Sequence, residues 1–514
     1  MLKRKNISDE QKKQEQALIN EMNEIINNPK FPFDSVKLFQ RLAYDRWIIN
    51  GFKGLFVMAT GTGKTVTALN CVFEEWRKSK IYRVIILVPT RALASQWRTE
   101  SAKFNFSNII TTSEDKHWKE EVNNVIGCIK ADLSSNFILI TTYSLFKRSS
   151  FQGYLKKFYS FINTITLIAD EAHTLGSPGA LKKLPYSIEK RIGLSATPDR
   201  KYDEHGTKVL MEYFQAFAPR FTINYTMKRA IDDKILCPYE YHPRFCLLTK
   251  NEKTKYLELT KKLSKYLDSK TGKYKDIPEV NFLLILRKHI IHKAQNKIKV
   301  FNDIITSDIG VQNVKYLFVY VPEGFEPDYW ESDQLDDSFA EENERLVKSF
   351  SLSLGEKGIP QIQFLGNTPD KDIILRLFAN GKYKALIAMK CLDEGIDIPR
   401  AEYAIFCSST GNPRQFIQRR GRVLRKHSDK DKATIFDIII RPDFENFTEL
   451  NSQQIQAEKN IFKAELLRVI NFAAIAENRM QIAIGELNSI CEAVGIDNLI
   501  ELMNIEYNNQ NIDL

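Results

Sequence analysis

The sequence predicts an α/β protein built on parallel sheets, and three observations carry that prediction. Short, continuous apolar runs alternate with helical patterns, as expected of strands buried on both faces and joined by helices. Several of these runs end in polar residues, which is where parallel sheets gather their ligands. One run leads into Ala59-Thr60-Gly61-Thr62-Gly63-Lys64-Thr65, a glycine-rich turn between a strand and a helix.

The bulk composition bounds the rest. A chain of 514 residues suggests two to four domains, and 43% hydrophobic with 27% charged residues fits several globular cores. A formal net charge of +10 fits either a polyanionic partner or a solvated basic surface. The seven cysteines are scattered with no C-x-x-C pair, which argues against zinc or iron–sulfur sites and fits a reducing compartment. The start lacks an apolar signal core, and no apolar run is long enough to span a bilayer. The expectation is a cytosolic (cytoplasmic) protein with no membrane partner.

Taken in order, the first 34 residues place Leu18, Ile19, Met22, Ile25 and Ile26 at helical spacing, an amphipathic helix expected to pack on the first domain. The segment Leu38–Trp47 reads as a helix carrying Gln40, whose amide can both donate to and accept from an adenine edge. Gly54–Val57 reads as a strand and Val66–Phe73 as a helix. Between them, turn N–H groups and the helix N-terminus would face phosphates, Lys64 would neutralise their β/γ charge, and Thr65 would ligate Mg²⁺. The phosphate-loop pattern wants Gly at its first position, where this chain has Met58.

Further strands are expected at 83–90, 137–143, 164–169 and 191–194, with a helix from Arg91. The third of these runs into Asp170-Glu171-Ala172-His173 and the fourth into Ser195-Ala196-Thr197-Pro198. Asp170 is placed to hold Mg²⁺, and Glu171 to orient and deprotonate a water.

In the second half, strands are expected at 239–248, 315–321, 361–366, 385–388 and 433–439, with a helix at 371–378. Residues 251–310 read as an inserted helical pair, with His289 and His292 as helix-surface residues rather than metal ligands. The acidic stretch 323–345 reads as a solvated loop. In Gln418-Arg419-Arg420-Gly421-Arg422-Val423-Leu424-Arg425, Arg422 and Arg425 are expected to share one helix face, which fits a solvated or nucleic-acid face or an arginine-finger role. From about 441 the pattern is helical, with no nuclease-like carboxylate–Lys constellation.

Over roughly residues 36–440 the chain resembles a superfamily 2 helicase of the DEAH type. The nearest look is the XPB-like and RadD-like branch, which shares ancestry with restriction-enzyme motor subunits. The resemblance implies two tandem RecA-like domains, at 36–238 and 239–440. Around them stand a helical N-terminal extension (1–35), a helical insertion at about 251–310 and a helical C-terminal extension (441–514).

It also implies ATP and Mg²⁺ as cofactors, with Gln40, Thr60 to Thr65, Gly395 and Asp397 around the nucleotide. Lys64, Asp170, Glu171, Gln418, Arg422 and Arg425 would be catalytic, and Thr65 and Asp170 would hold the metal. Pro89, Thr90, Arg91, Thr141, Thr142, Tyr143 and Gly366 would meet nucleic acid, and His173, Ser195, Thr197 and Glu394 would couple the two sites. Met389 departs from the threonine of many relatives early in the motif at 391–399.

The branch implies a DNA translocase or helicase in repair, restriction or antiviral defence. An RNA helicase, or an ATP-gated subunit that recruits a nuclease partner, stays open. Glu171→Gln is expected to bind ATP without turnover.

Overall fold

The computed structural model describes residues 28–131, 135–198, 203–217, 221–267, 274–275, 277–321, 337–365, 368–389, 400–407, 413–443 and 452–511. The expected N-terminal amphipathic helix lies outside them. Two compact units divide the chain: Gly63–Tyr225 with the chain up to Met58, and Thr226–Ile512 with Ala59–Thr62.

The first unit is a sheet of seven strands: β1 (Lys53–Met58), β2 (Arg83–Val88), β3 (Ile109–Thr111), β4 (Phe137–Thr142), β5 (Ile165–Ala169), β6 (Lys190–Ser195) and β7 (Ile223–Tyr225). Every pairing is parallel, in the order β3-β4-β2-β5-β6-β1-β7. The apolar runs form strands because both faces are covered, and β5 is buried along its whole length. Leu55, Leu87, Leu139, Leu167, Phe146 and Phe214 meet in one core.

Helices α1 (Leu38–Ile49), α2 (Lys64–Ser79) and α3 (Arg91–Lys103) belong to this unit. α1 is anchored by Phe39 stacked on Tyr225 at 4.2 Å and by the Trp47 indole donating to the Arg191 carbonyl at 2.9 Å. Strand β6 lies between β1 and β5, with Val57 opposite Ser195 and Ala169 opposite Gly193. The carboxyl ends of β1 and β5 therefore flank that of β6, and the polar residues after each of these strands gather there.

The second unit has six parallel strands, β8 (Tyr239–Cys246), β9 (Leu317–Tyr320), β10 (Gln361–Phe364), β11 (Ala385–Ala388), β12 (Tyr403–Phe406) and β13 (Ala433–Ile440). Their order is β10-β11-β9-β12-β13-β8. The helices include α4 (Lys250–Ser264), α5 (Pro278–His292), α6 (Pro413–Val423), α7 (Ser452–Ala473) and α8 (Leu499–Gln510).

The C-terminal helices are held by charge as well as by apolar packing. Arg468 of α7 donates to Asp437 of β13 at 2.8 Å and to Glu465 at 2.6 Å, and the Tyr241 hydroxyl donates to Asp437 at 2.9 Å. The Arg468 and Asp437 side chains are buried, so removing one partner would cost about 3–5 kcal/mol.

Four sequence expectations need correction or adjustment. His292 is buried rather than on a helix surface, and burial lowers its pKa well below the usual histidine value. The acidic stretch is not all loop: a helix runs from Asp337 to Glu356, because Val347, Phe350 and Leu354 recur at helical spacing and bury in the core; 322–336 lie outside the described residues.

The helix carrying the arginines ends at Val423, so Arg425 does not share its face. The chain turns out there because the Cys237 N–H takes the Leu424 carbonyl at 2.8 Å and Leu236 bridges to Arg425. The same pairing ties the expected connector into the second unit, which begins at Thr226 rather than at 239.

Candidate functional site: a phosphate loop beside two carboxylates

The turn after β1 depends on glycine. Gly61 and Gly63 sit at φ +86° and +88°, in left-handed backbone that only glycine adopts readily. α2 then starts at Lys64, and among the described residues no side chain caps it at Gly63. An uncapped helix start presents N–H groups and a positive dipole end, which suits an anionic phosphate.

β5 delivers the carboxylates. The Asp170 side chain is buried, and its Oδ2 accepts from the Trp97 indole of α3 at 2.8 Å. Its Oδ1 accepts from the Glu171 N–H at 3.0 Å, and its carbonyl accepts from the Tyr143 hydroxyl at 2.6 Å. Glu171 stands at φ +46°, in strained left-handed backbone. Its Oε1 lies 3.4 Å from Lys64 Nζ and its Oε2 3.5 Å from His173 Nδ1. Lys64, Asp170, Glu171 and His173 thus form one cluster in the first unit.

The electrostatics follow from burial. Desolvation, then the Glu171 charge, raises the Asp170 carboxyl to about 6, against the pull of Lys64 and of the Trp97 and Glu171 N–H groups. Carboxylate and hydroxyl oxygens suit a hard divalent cation, so the donor set at Asp170 and Thr65 fits Mg²⁺.

The remaining expected residues fall in different surroundings. Gln40 is buried on α1, where its Oε1 accepts the Lys37 N–H at 3.0 Å. Ser195 is buried at the end of β6 and its Oγ accepts from the Thr197 N–H at 3.2 Å. Thr90 caps α3 by accepting from the Leu93 N–H, and Thr142 caps the next short helix by accepting from the Leu145 N–H. Each hydroxyl keeps its proton to donate. Pro89 is partly exposed and Arg91 exposed.

Thr141 and Tyr143 are buried, so their side chains do not lie on a nucleic-acid-facing surface as expected. The Tyr143 hydroxyl is engaged under Asp170 instead. In the second unit, Gln418 and Arg422 are buried on α6. Gly366, Glu394, Gly395 and Asp397 lie outside the described residues.

Sequence reasoning missed Trp97 as a partner of Asp170. The available signal was its position two turns along the helix that Thr90 caps, on the same face as that cap.

Comparisons with known proteins bear on the family of the chain. A family model described as type III restriction enzyme, res subunit, matches residues 7–200. One described as helicase conserved C-terminal domain matches residues 339–427. The chain is 27% identical to the DNA 3'-5' translocase XPB2 of Sulfurisphaera tokodaii, over 81% of this chain and 85% of that one.

It is 22% identical to the DNA 3'-5' helicase XPB of Mycobacterium tuberculosis, over 82% of this chain and 63% of that one. Among solved structures, the ATP-dependent Type ISP restriction-modification enzyme LlaBIII bound to DNA superposes with a TM-score of 0.52 at 18% identity. That match covers 87% of this chain and 30% of the restriction enzyme, and is a likeness of fold.

Proposed function

The chain belongs to helicase superfamily 2, a family of ATP-hydrolysing enzymes, and from that premise we propose that it is a DNA translocase or helicase. The cluster of Lys64, Asp170 and Glu171 beside the uncapped start of α2 carries the reading. In it, Lys64 neutralises the terminal phosphates and Glu171 takes the proton of the attacking water. Asp170 and Thr65 hold Mg²⁺, which when bound screens phosphate charge. Arg422 and Arg425 supply positive charge to the transferring phosphoryl group.

The helix caps at Thr90 and Thr142, with the exposed Arg91, present hydroxyl, N–H and guanidinium donors. Such donors suit a phosphate backbone, so binding is sequence-independent and weakens with salt. DNA is preferred because the relatives' names specify DNA. The role is in repair, restriction or antiviral defence, with a nuclease supplied by a partner protein. The family model for a restriction-enzyme subunit supports that last step.

Steady-state ATPase with single-stranded, duplex and forked DNA and with matched RNA tests the proposal. Strong stimulation by one form of DNA is expected. Equal or greater stimulation by RNA would move the substrate to RNA.

The Asp170 carboxyl gives this reading a pH signature. Below about pH 6 it carries a proton that Mg²⁺ has to displace. Apparent Mg²⁺ affinity is therefore expected to fall about tenfold for each unit below that value and to stay flat above it. Mg²⁺ titrations of fluorescent-nucleotide binding between pH 5 and 8 measure this. Equal affinity at both ends would remove Asp170 from the ligand set.

A further inference from the structure

We propose that the C-terminal helical extension is part of the hydrolytic machinery, with Asn471 and Glu506 as positioning residues that hold α6 through Arg420. The inference rests on the assignment of Arg422 to ATP hydrolysis.

Arg420 of α6 is 1% exposed, and both terminal nitrogens of its guanidinium donate within its own unit. Nη1 donates to the Asn471 carbonyl at 2.7 Å and to the Tyr239 hydroxyl at 3.1 Å. Nη2 donates to Asn471 Oδ1 at 2.9 Å, and the cation lies 4.7 Å from the Phe472 ring centroid. The network continues outward. Asn471 Nδ2 and Gln510 Nε2 both donate to Glu506 Oε1, at 2.5 and 2.6 Å. The Gln510 carbonyl then accepts from the Thr226 hydroxyl at 2.6 Å. One chain of bonds thus joins α6, α7, α8 and Thr226.

A buried cation held by neutral oxygens is an expensive way to fill a core, since a well-packed apolar side chain costs less. What the guanidinium adds is direction. Three bonds from a rigid planar fork set the rotation of α6 about its axis, which a hydrophobic contact would leave loose. Arg422 is two residues further on, about 200° around the helix. Anchoring Arg420 on α7 therefore sets where Arg422 points. The far end of α6 is held too, because the buried Lys430 ammonium donates to the Val423 carbonyl and, at 3.0 Å, to that of Arg425.

The test uses the full chain and the variants Asn471→Ala, Glu506→Ala and Glu506→Gln. It reads kcat and KM for ATP, fluorescent-nucleotide affinity and thermal midpoint. Asn471→Ala is expected to lower kcat about tenfold while nucleotide affinity stays within about twofold. Glu506→Ala should give a smaller fall, and Glu506→Gln should restore kcat, because an amide oxygen still accepts from Asn471 and Gln510.

Wild-type kcat in both alanine variants overturns the proposal, as does a fall that Glu506→Gln fails to restore or one matched by lost affinity. If Asn471→Ala does not fold, the Glu506 pair decides, since Glu506 does not touch Arg420. A wild-type chain no more active than Lys64→Ala overturns the hydrolytic reading and this inference together. An active wild type with unaffected Asn471 and Glu506 variants overturns this inference alone.

Discussion

Lys64→Ala is expected to lower ATP turnover by at least about 10²–10³-fold, the loss that follows removal of one preorganised transition-state contact. Two effects add. The ammonium that would meet the terminal phosphates is gone, and the Asp170 carboxyl loses the cation that holds its pKa down. Asp170 then rises further above the ordinary carboxylate range, and Mg²⁺ is held less well near neutral pH. The alanine variant should therefore show weaker nucleotide binding as well as slower turnover. Lys64→Arg separates the two. It keeps the charge beside Asp170, but a planar fork replaces a compact ammonium in a tight turn, so turnover should stay low while Mg²⁺ affinity partly recovers. ATPase above about one tenth of wild type in Lys64→Ala would remove the loop from the chemistry.

What could be read in the sequence was whatever is encoded locally. Asp170 and Glu171 come directly after the buried β5, and Lys64 follows β1 across a short glycine-containing turn, so an apolar run and the residues beyond it are enough to find them. Trp97 is different. Its indole reaches Asp170 because α3 follows β2 and β2 pairs with β5, with Ile86 opposite Ile168. Strand order is a tertiary fact that periodicity along one segment does not carry.

The overextended arginine helix has a similar origin. Spacing alone continues it to Arg425, whereas the pairing of Leu424 with Cys237, distant in sequence, ends it at Val423. Burial of His292 likewise reflects the packing of the folded helices around it. Tyr143 shows the converse error. The resemblance places it against nucleic acid, but a short helix starts at Tyr143 and its hydroxyl donates to the Asp170 carbonyl.

Glu171→Gln is expected to keep ATP binding and to lower turnover by about 10²–10⁴-fold, the usual contribution of a positioned general base. The amide fills the same volume and tolerates the same left-handed backbone, so the turn after β5 should survive. It cannot take a proton from water. A second consequence separates a lost base from a distorted site. The Glu171 charge is one of the two causes that raise the Asp170 carboxyl, after burial itself. Glutamine removes that charge, so the Asp170 pKa should move down from about 6, and Mg²⁺-dependent nucleotide binding should persist to lower pH than in wild type.

A distorted site predicts the opposite, with weaker binding at every pH. Binding curves at pH 5 and pH 7.5, beside turnover at neutral pH, read both outcomes. Robust hydrolysis by Glu171→Gln would overturn the base assignment. Lost turnover with an unshifted binding profile would leave Glu171 as the base but show that its charge does not set the Asp170 proton. In the proposed division of roles the more buried carboxylate, Asp170, serves the cation, and the more exposed one, Glu171, serves the water.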